Sequence, residues 1–329
     1  MSETPLLLVL DYGGTKHTAA VIAPGERHWR AYRRVLSPHG ADARYDIETV
    51  HTLARELLGE TRPAAIGVSF GGPVDASSGM VRLSHHVPGW ENTPLQEILG
   101  AEFDAPASID NDANVAALGE HRFGAGRGYE NLLYITVSTG VGGGWILNGQ
   151  IWHGSEGMAG EIGHTVVDPD GPACTCGKGG CLERLAAGLY IAQRAREWLE
   201  TQPGRGQVLR RLIGDDLKAV TAQLVSQAAA QGDDLAWEAL EVAGWALGVG
   251  IGNAANLVNP QRFILGGGVT KAGERYWEVV RRVARETAMP EVHFDVVPAA
   301  LGDDAPLWGA VVLAEDCLHP PKSTQSAHF

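Results

Sequence analysis

The chain has 329 residues, of which 44% are apolar and 20% are charged, and this composition is typical of globular proteins. Its length suits two α/β domains better than one small core. The net charge of −13 argues against a broad basic surface of the kind that binds duplex DNA, so we expect no nucleic-acid partner.

We expect no targeting signal in the N-terminal residues. Met1–Pro5 lack the basic flank of a secretory signal, and the apolar run Leu6–Leu10 is too short to span a bilayer. No later stretch reaches the roughly 18 apolar residues of a membrane helix. We therefore expect a cytosolic protein that has no membrane partner.

The first part of the chain predicts a small α/β arrangement. Short apolar runs bounded by glycine indicate strands, and apolar residues at helical spacing indicate helices. The predicted elements are strand Leu6–Leu10, a turn within Asp11–Lys16, strand Thr18–Ile22, helix Asp46–Leu58 and strand Ala65–Phe70. Residues 74–108 are expected to be mostly loop, with one short helix near Pro94–Leu99.

A second series of elements begins near Ile109. Asp110, Asn111 and Asp112 precede an alanine-rich helix that is expected to end near Phe123, as capping residues commonly do. The later predicted elements are strand Leu132–Ser138, an antiparallel return at Trp145–Leu147 with a hairpin turn at Asn148-Gly149, mainly helix from Leu182 to Leu257, strand Arg262–Leu265, helix Glu274–Glu286, strand His293–Val297 and helix Pro306–Cys317. His319–Phe329 is polar and is expected to be disordered.

Three predicted strands each end in a glycine-rich turn, at residues 11–16, 138–144 and 265–268. Glycine lets backbone N–H groups approach a phosphate closely. One such turn is more often structural, but three in one chain favour phosphate binding. Neither the P-loop pattern nor a dinucleotide fingerprint after the first strand is present, so we expect a different kind of nucleotide site.

Two acidic residues in these segments suit phosphoryl transfer. Asp11, at a strand end, could hold Mg²⁺ through water, while Thr15 and Lys16 contact phosphate. Asp112 could accept the proton of an alcohol, with Asn111 contacting a sugar hydroxyl. A solvated hairpin turn and a plain helix cap are the alternatives, and the residues alone leave both open.

A metal site is predicted by the pattern His164-x9-Cys174-x-Cys176-x4-Cys181. One imidazole and three thiolates complete a tetrahedral zinc site of the closed, structural type. Cys174 and Cys176 are too close to be bridged without strain. Glu161 and Glu183 flank this loop and could accept hydrogen bonds from sugar hydroxyls, although surface positions are the simpler interpretation.

Taken together, these motifs resemble the ROK family of sugar kinases and repressors, within the actin-like and hexokinase-like ATPases. The most specific segments are Gly157–His164 and Cys174–Glu183. The other matching segments are Asp11–Lys16, Asn111-Asp112, Ser138–Gly144 and Asn259–Gly268. The resemblance extends from about Leu6 to Leu313.

The resemblance implies an α/β fold of two domains, actin-like or hexokinase-like (ribonuclease H-like), with an interdomain cleft. The small domain is expected over residues 1–115, completed by a C-terminal helix at 305–317. The large domain is expected over 116–304 and contains the zinc loop and helices of the kind that form a dimer interface. A flexible tail is expected over 318–329. A homodimer or a dimer of dimers is also implied.

The resemblance further implies ATP-dependent phosphorylation of a hexose at its 6-hydroxyl, with Asp112 as the catalytic base. Mg²⁺ would accompany ATP, and zinc would be structural, bound by His164, Cys174, Cys176 and Cys181. The residues implied for the sugar are Gly72, Asn111, Asp112, Glu161, His164 and Glu183. Those implied for ATP are Asp11, Gly13, Gly14, Thr15, Lys16, Thr139, Gly140, Gly266 and Gly267.

The substrate is less clearly indicated than the reaction. Ser69–Pro73 and Ser84–Trp90 depart from the pattern that many members of the family show where they contact the sugar. Glucose is the first expectation, and N-acetylmannosamine or fructose is the alternative. A sugar-responsive repressor of this family would carry a helix-turn-helix of roughly 60 to 80 residues before the first strand. Only five residues precede Leu6 in this sequence, and we take this as an argument against the repressor class. A sugar sensor without catalysis is a further alternative. The presence of Asp11, Asp112 and Thr139, which suit phosphoryl transfer, argues against it.

Overall fold

The computed structural model describes residues 4–84, 87–214 and 216–319, which form two compact α/β units. The first unit comprises the described residues of Met1–Arg127, His153–Met158 and Asp304–Phe329. The second comprises those of Gly128–Trp152 and Ala159–Asp303. His85 and His86, in the segment that departs from the family pattern, and the expected tail from residue 320 onward lie outside the described residues.

Twelve strands are described. They are β1 (Leu7–Tyr12), β2 (Lys16–Ile22), β3 (Ala31–Leu36), β4 (Ala65–Phe70), β5 (Val74–Asp75), β6 (Met80–Val81), β7 (Ala107–Asn111), β8 (Leu132–Val137), β9 (Val141–Leu147), β10 (Gln150–Ile151), β11 (Arg262–Gly266) and β12 (Asp295–Pro298). Apart from the short β5–β6 hairpin, they form two five-stranded sheets, one in each unit.

Ten α-helices surround the sheets in the described part of the chain. They are α1 (Ala43–Leu58), α2 (Leu95–Phe103), α3 (Asp112–Phe123), α4 (Leu182–Ala186), α5 (Gly188–Thr201), α6 (Gln207–Ile213), α7 (Ala222–Ala230), α8 (Asp234–Val258), α9 (Glu274–Thr287) and α10 (Ala305–Leu318). The long helical region predicted from Leu182 to Leu257 is therefore five separate helices.

The two sheets have the same topology. Their strand orders are β3-β2-β1-β4-β7 and β10-β9-β8-β11-β12. In each sheet the first three strands along the chain pair antiparallel, and the other two extend the sheet in parallel with the first. The hairpin turn between β1 and β2 therefore occupies the same topological position as the turn between β8 and β9.

Both faces of the first sheet are buried. Leu8 and Leu10 of β1 pack in the cluster that contains Val50 of α1. Because strand side chains alternate between faces, Leu7 and Val9 point the other way, and they too are fully buried. Apolar residues in an unbroken run, as in β1, are typical of such strands.

Glycine allows α3 and α10 to pack at very short distance. A Cβ atom on Gly119 of α3 would collide with the carbonyl of Ala305, and one on Gly309 of α10 with that of Val115. A side chain at either position would therefore push the helices apart. This packing supports the C-terminal end of β7 and the start of α3, where the candidate base lies.

The second unit is built around α8. This helix is buried along most of its length and packs in one apolar cluster with the strands β8 and β11 and the neighbouring helices. Among the described residues, no helix combines the length and the apolar character needed to cross a bilayer.

The structure differs from the sequence prediction at three places. β3 was not predicted, because its residues are mostly exposed or half-buried and lack an apolar pattern. Residues 74–108, expected to be mostly loop, contain β5, β6 and the first two residues of β7. Gly142–Gly144, expected in a turn, belong to β9, where they pair with β8.

Candidate active site and metal centre

Two tight hairpin turns occupy equivalent positions in the two sheets. In the first, the N–H of Gly13 donates to the carbonyl of Lys16 at 3.1 Å. In the second, the N–H of Ser138 donates to the carbonyl of Gly140 at 2.9 Å. Thr15 and Thr139 are exposed at the two turns, so their hydroxyls are open to a ligand. Each unit thus presents one turn of the kind predicted for phosphate.

The third glycine-rich segment ends β11. A Cβ atom on Gly266 would collide with the hydroxyl of Tyr134, and Gly267 has a φ of 91° beside the main chain of Val137. The main chain therefore requires glycine at position 267 whether or not a nucleotide binds, whereas a larger residue at position 266 would displace the Tyr134 side chain. The contact with adenosine implied by the resemblance stays a prediction.

Three polar residues form a row across the first sheet. Ser69 of β4 lies in register with Asp11 of β1 on one side and Asp110 of β7 on the other. Residues in register share one face of a sheet, and all three are buried. The hydroxyl of Ser69 donates to Asp11 Oδ1 at 2.9 Å. Burial raises the pKa of Asp11, while this hydrogen bond lowers it.

Asp112 is the first residue of α3, directly after the row. Its Oδ1 accepts a hydrogen bond from the N–H of Ala113 at 2.8 Å, and the side chain is partly buried. Burial raises the pKa of Asp112 to about 6, with a further contribution from the negative charge of Asp11. A carboxylate with a pKa in this range can take up a proton near neutral pH, which is the property a general base needs.

Asn111 links Asp112 to the turn after β4. Its Oδ1 caps α3 by accepting from the N–H of Ala113 at 3.0 Å, and its Nδ2 donates to the carbonyl of Gly72 at 3.0 Å. An amide has two donors and two acceptor sites, so one of each is left for a ligand. The first unit thus brings together Gly72, Asn111 and Asp112, and their contact with a sugar stays a prediction.

The sugar-binding residues predicted in the second unit lie around the loop that carries the predicted zinc ligands. Glu161 is exposed, and its Oε2 lies 3.9 Å from Nε2 of His164. Glu183, in α4, instead accepts a hydrogen bond from the N–H of Val141 at 2.9 Å through Oε2. Glu183 is therefore tied to the turn between β8 and β9, and its other oxygen is left for a sugar hydroxyl.

The four predicted metal ligands come together. One ligand atom from each of His164, Cys174, Cys176 and Cys181 lies within 4.8 Å of the others. The sulfurs of Cys176 and Cys181 are 3.5 Å apart, close to the roughly 3.8 Å expected when two thiolates share a tetrahedral zinc ion. A hydrogen bond from the N–H of Lys178 lowers the pKa of Cys176, which favours the thiolate that a metal binds.

The two ring nitrogens of His164 lie in different surroundings. Nδ1 is buried without a hydrogen-bond partner, a costly state that a bound ion would relieve. Nε2 is the nitrogen near Glu161. The donor set, its spacing and this buried nitrogen all fit zinc.

Two residues that contact buried carboxylates of the candidate site carry weak sequence signals. Ser69 stands out in the sequence only as a departure from a family pattern, yet it is the hydrogen-bond partner of Asp11. His153 is one of several histidines in a glycine-rich segment, and its Nε2 lies 2.6 Å from Oδ2 of Asp110. Both contacts join residues that are far apart in sequence, so no local pattern could reveal them.

Comparisons with known proteins match nearly the whole chain. The sequence model of the ROK family matches residues 7–317. A glucokinase from Halalkalibacterium halodurans is 41% identical over 309 residues, which cover 91% of this chain and 92% of that protein.

Solved structures agree with this match. A ROK family glucokinase from Streptomyces griseus, crystallised with glucose and AMPPNP, has a TM-score of 0.81 and 32% identity, covering 94% of this chain and 99% of its own. A ROK hexokinase from Thermus thermophilus has a TM-score of 0.79 and 33% identity, with coverages of 94% and 98%. The predicted fold class, an α/β protein of the actin-like and hexokinase-like type, is thereby confirmed. This chain belongs to the ROK family.

Proposed function

We propose that this protein is an ATP-dependent glucokinase, which transfers the γ-phosphoryl group of ATP to the 6-hydroxyl of glucose. Relatives that are 32–41% identical over most of the chain carry the name glucokinase, and one of them was crystallised with glucose and AMPPNP. The observation that carries the proposal is Asp112, whose carboxylate has a pKa raised to about 6 and lies in the unit that holds the Gly13–Thr15 turn.

Asp112 would act as the base. As the 6-hydroxyl oxygen bonds to the γ-phosphorus, the hydroxyl proton passes to the ionised carboxylate. The bond from the γ-phosphorus to its bridging oxygen breaks, and ADP leaves with that oxygen. At neutral pH a group with a pKa near 6 is mostly ionised, so Asp112 is ready to accept the proton.

The remaining predicted residues would bind and orient the substrates. We assign the sugar hydroxyls to Gly72, Asn111, Glu161, His164 and Glu183. We assign the nucleotide to Asp11, Gly13, Gly14, Thr15, Lys16, Thr139, Gly140, Gly266 and Gly267. Mg²⁺ bound with ATP supplies positive charge to the phosphates, and Asp11, a buried carboxylate at a strand end, suits its water ligands.

We also propose that the four-residue cluster binds one structural zinc ion per chain. With His164, Cys174, Cys176 and Cys181 as ligands, no open coordination position is left for catalysis. Zinc would stabilise the loop between Glu161 and Glu183, and so hold these two carboxylates in place.

The homodimer implied by the resemblance is a further proposal. Leu257, near the end of α8, and Met289 are strongly exposed apolar side chains of the second unit. Light scattering after size-exclusion chromatography would measure the mass, and a monomeric mass would contradict the proposal.

A coupled assay of ADP release tests the function. The panel should contain glucose, mannose, fructose, N-acetylglucosamine and N-acetylmannosamine, each with MgATP. We expect the highest kcat/KM with glucose. A higher value with N-acetylmannosamine or fructose would assign the enzyme to that sugar, and no turnover with any sugar would overturn the kinase and favour a sensor.

A further inference from the structure

The buried row Asp11–Ser69–Asp110 places two carboxylates on one face of the first sheet, on either side of a serine. A buried carboxylate is costly unless it is paired or fully hydrogen-bonded. Asp11 receives the hydroxyl of Ser69. The partners of Asp110 are different, and they lead to the candidate base.

Asp110 uses both of its oxygens. Oδ1 accepts from the N–H of Asn111 at 2.7 Å and from Nδ2 of Asn114 at 3.0 Å. These two donors lie on either side of Asp112, one at the cap of α3 and one in its first turn. The carboxylate of Asp110 therefore holds the backbone on which Asp112 sits.

The other oxygen of Asp110 binds a histidine from a distant part of the chain. Oδ2 lies 2.6 Å from Nε2 of His153, whose ring is about one-third exposed. The hydrogen bond to Asp110 raises the pKa of His153, which favours the imidazolium. When protonated, the imidazole of His153 places a positive charge beside a carboxylate that is 3% exposed.

His153 begins a short excursion of the chain. The preceding strand, β10, belongs to the sheet of the second unit, whereas residues His153–Met158 belong to the first unit. The hydrogen bond between His153 and Asp110 attaches the start of this excursion to β7.

We propose that His153 is a positioning residue for phosphoryl transfer, acting through Asp110 to orient the Asn111-Asp112 turn. The proposal rests on the proposed kinase function and extends it. A base must lie within hydrogen-bond reach of the hydroxyl, and a displacement of about 1 Å can cost about 100-fold in rate. Loss of His153 would leave Oδ2 of a buried carboxylate without its hydrogen-bond partner, and the turn would relax around it.

The test compares His153→Leu, which removes the donor, with His153→Gln, which keeps an N–H group at similar reach. His28→Leu serves as the control, since His28 is an exposed histidine of the same unit. Kinetics with glucose and MgATP, glucose binding by calorimetry and thermal unfolding are measured for all variants. Turnover by the wild-type enzyme is established first, and its absence with every sugar would overturn the proposed function itself.

We expect His153→Leu to lower kcat about 10- to 100-fold while the Kd for glucose changes by less than about threefold. His153→Gln should recover part of kcat, and His28→Leu should match wild type. In an Asp110→Asn background, His153→Leu should have a much smaller effect on kcat, because both act through one hydrogen bond. A kcat of His153→Leu within about twofold of wild type, or equal losses in the Leu and Gln variants, would overturn the proposal.

Discussion

Glu183 accepts a hydrogen bond from the main-chain N–H of Val141 at 2.9 Å, so one carboxylate joins α4 to the turn between β8 and β9. α4 begins directly after the metal ligand Cys181. The zinc-type cluster and the second hairpin turn are therefore coupled within one unit by a single side chain.

Removing this carboxylate should destabilise the protein. Val141 is buried, so Glu183→Ala leaves its N–H without a partner, at a cost of about 1–3 kcal/mol in the free energy of unfolding. Glu183→Gln keeps an acceptor and should cost less. Urea unfolding measures both, with Glu200→Ala, at an exposed position of α5, as the control. An unchanged midpoint for Glu183→Ala would contradict the role of the hydrogen bond.

Asp112→Asn should abolish turnover and stabilise the fold. Loss of a general base lowers kcat by at least about 100-fold, while glucose affinity should stay within about tenfold. Because the folded state raises the pKa of Asp112 from 3.8 to about 6, ionisation opposes folding, and this cost grows between these two pH values and is complete above the higher one. The variant should therefore unfold at higher temperature than wild type at pH 8, with a difference that shrinks toward pH 4. Residual activity above about 1% would contradict the base assignment.

The pH dependence of catalysis should report the same carboxylate. We expect kcat/KM for glucose to fall about tenfold per pH unit below pH 6, as Asp112 becomes protonated. The negative charge of Asp11 raises the pKa of Asp112. Asp11→Asn should therefore move the acidic limb of the kcat/KM profile to lower pH, whatever its effect on the maximal rate. An acidic limb at unchanged pH would show that the two carboxylates do not interact.

Zinc content tests the cluster directly. Elemental analysis of protein purified without chelator should find one zinc per chain, and Cys181→Ser should lose the metal and unfold at lower temperature. Cys317→Ser, which alters a partly buried cysteine of the first unit, should keep it. Wild-type protein without zinc would refute the site.

The two glycines after β11 should differ sharply in how well they tolerate substitution by alanine. Gly267 has a positive φ and lies against the main chain of Val137, whereas a Cβ atom on Gly268 would meet nothing within 4 Å. Gly267→Ala should therefore lower the free energy of unfolding by about 1–3 kcal/mol, and Gly268→Ala should be nearly neutral. Equal melting temperatures for the two variants would contradict this account of the turn.

Much of the candidate site could be read from neighbouring residues. The metal ligands lie in one short segment, and Asp110 and Asn111 directly precede Asp112, the first residue of α3, so spacing alone indicates a shared chemistry. Strands such as β1 and β4 were predicted because their apolar runs are continuous, as burial on both faces requires. β3 was missed because half of its residues face solvent.

By itself, the sequence determined which chemical groups are available: the glycine turns, the candidate base, the ligands for a metal and the family to which they belong. Only the tertiary structure decided which of these groups meet. The register of β1, β4 and β7 sets Ser69 between Asp11 and Asp110, and a chain excursion brings His153 to Asp110. Such contacts depend on strand pairing and packing summed over the whole unit, whereas a local pattern records only the residues beside it.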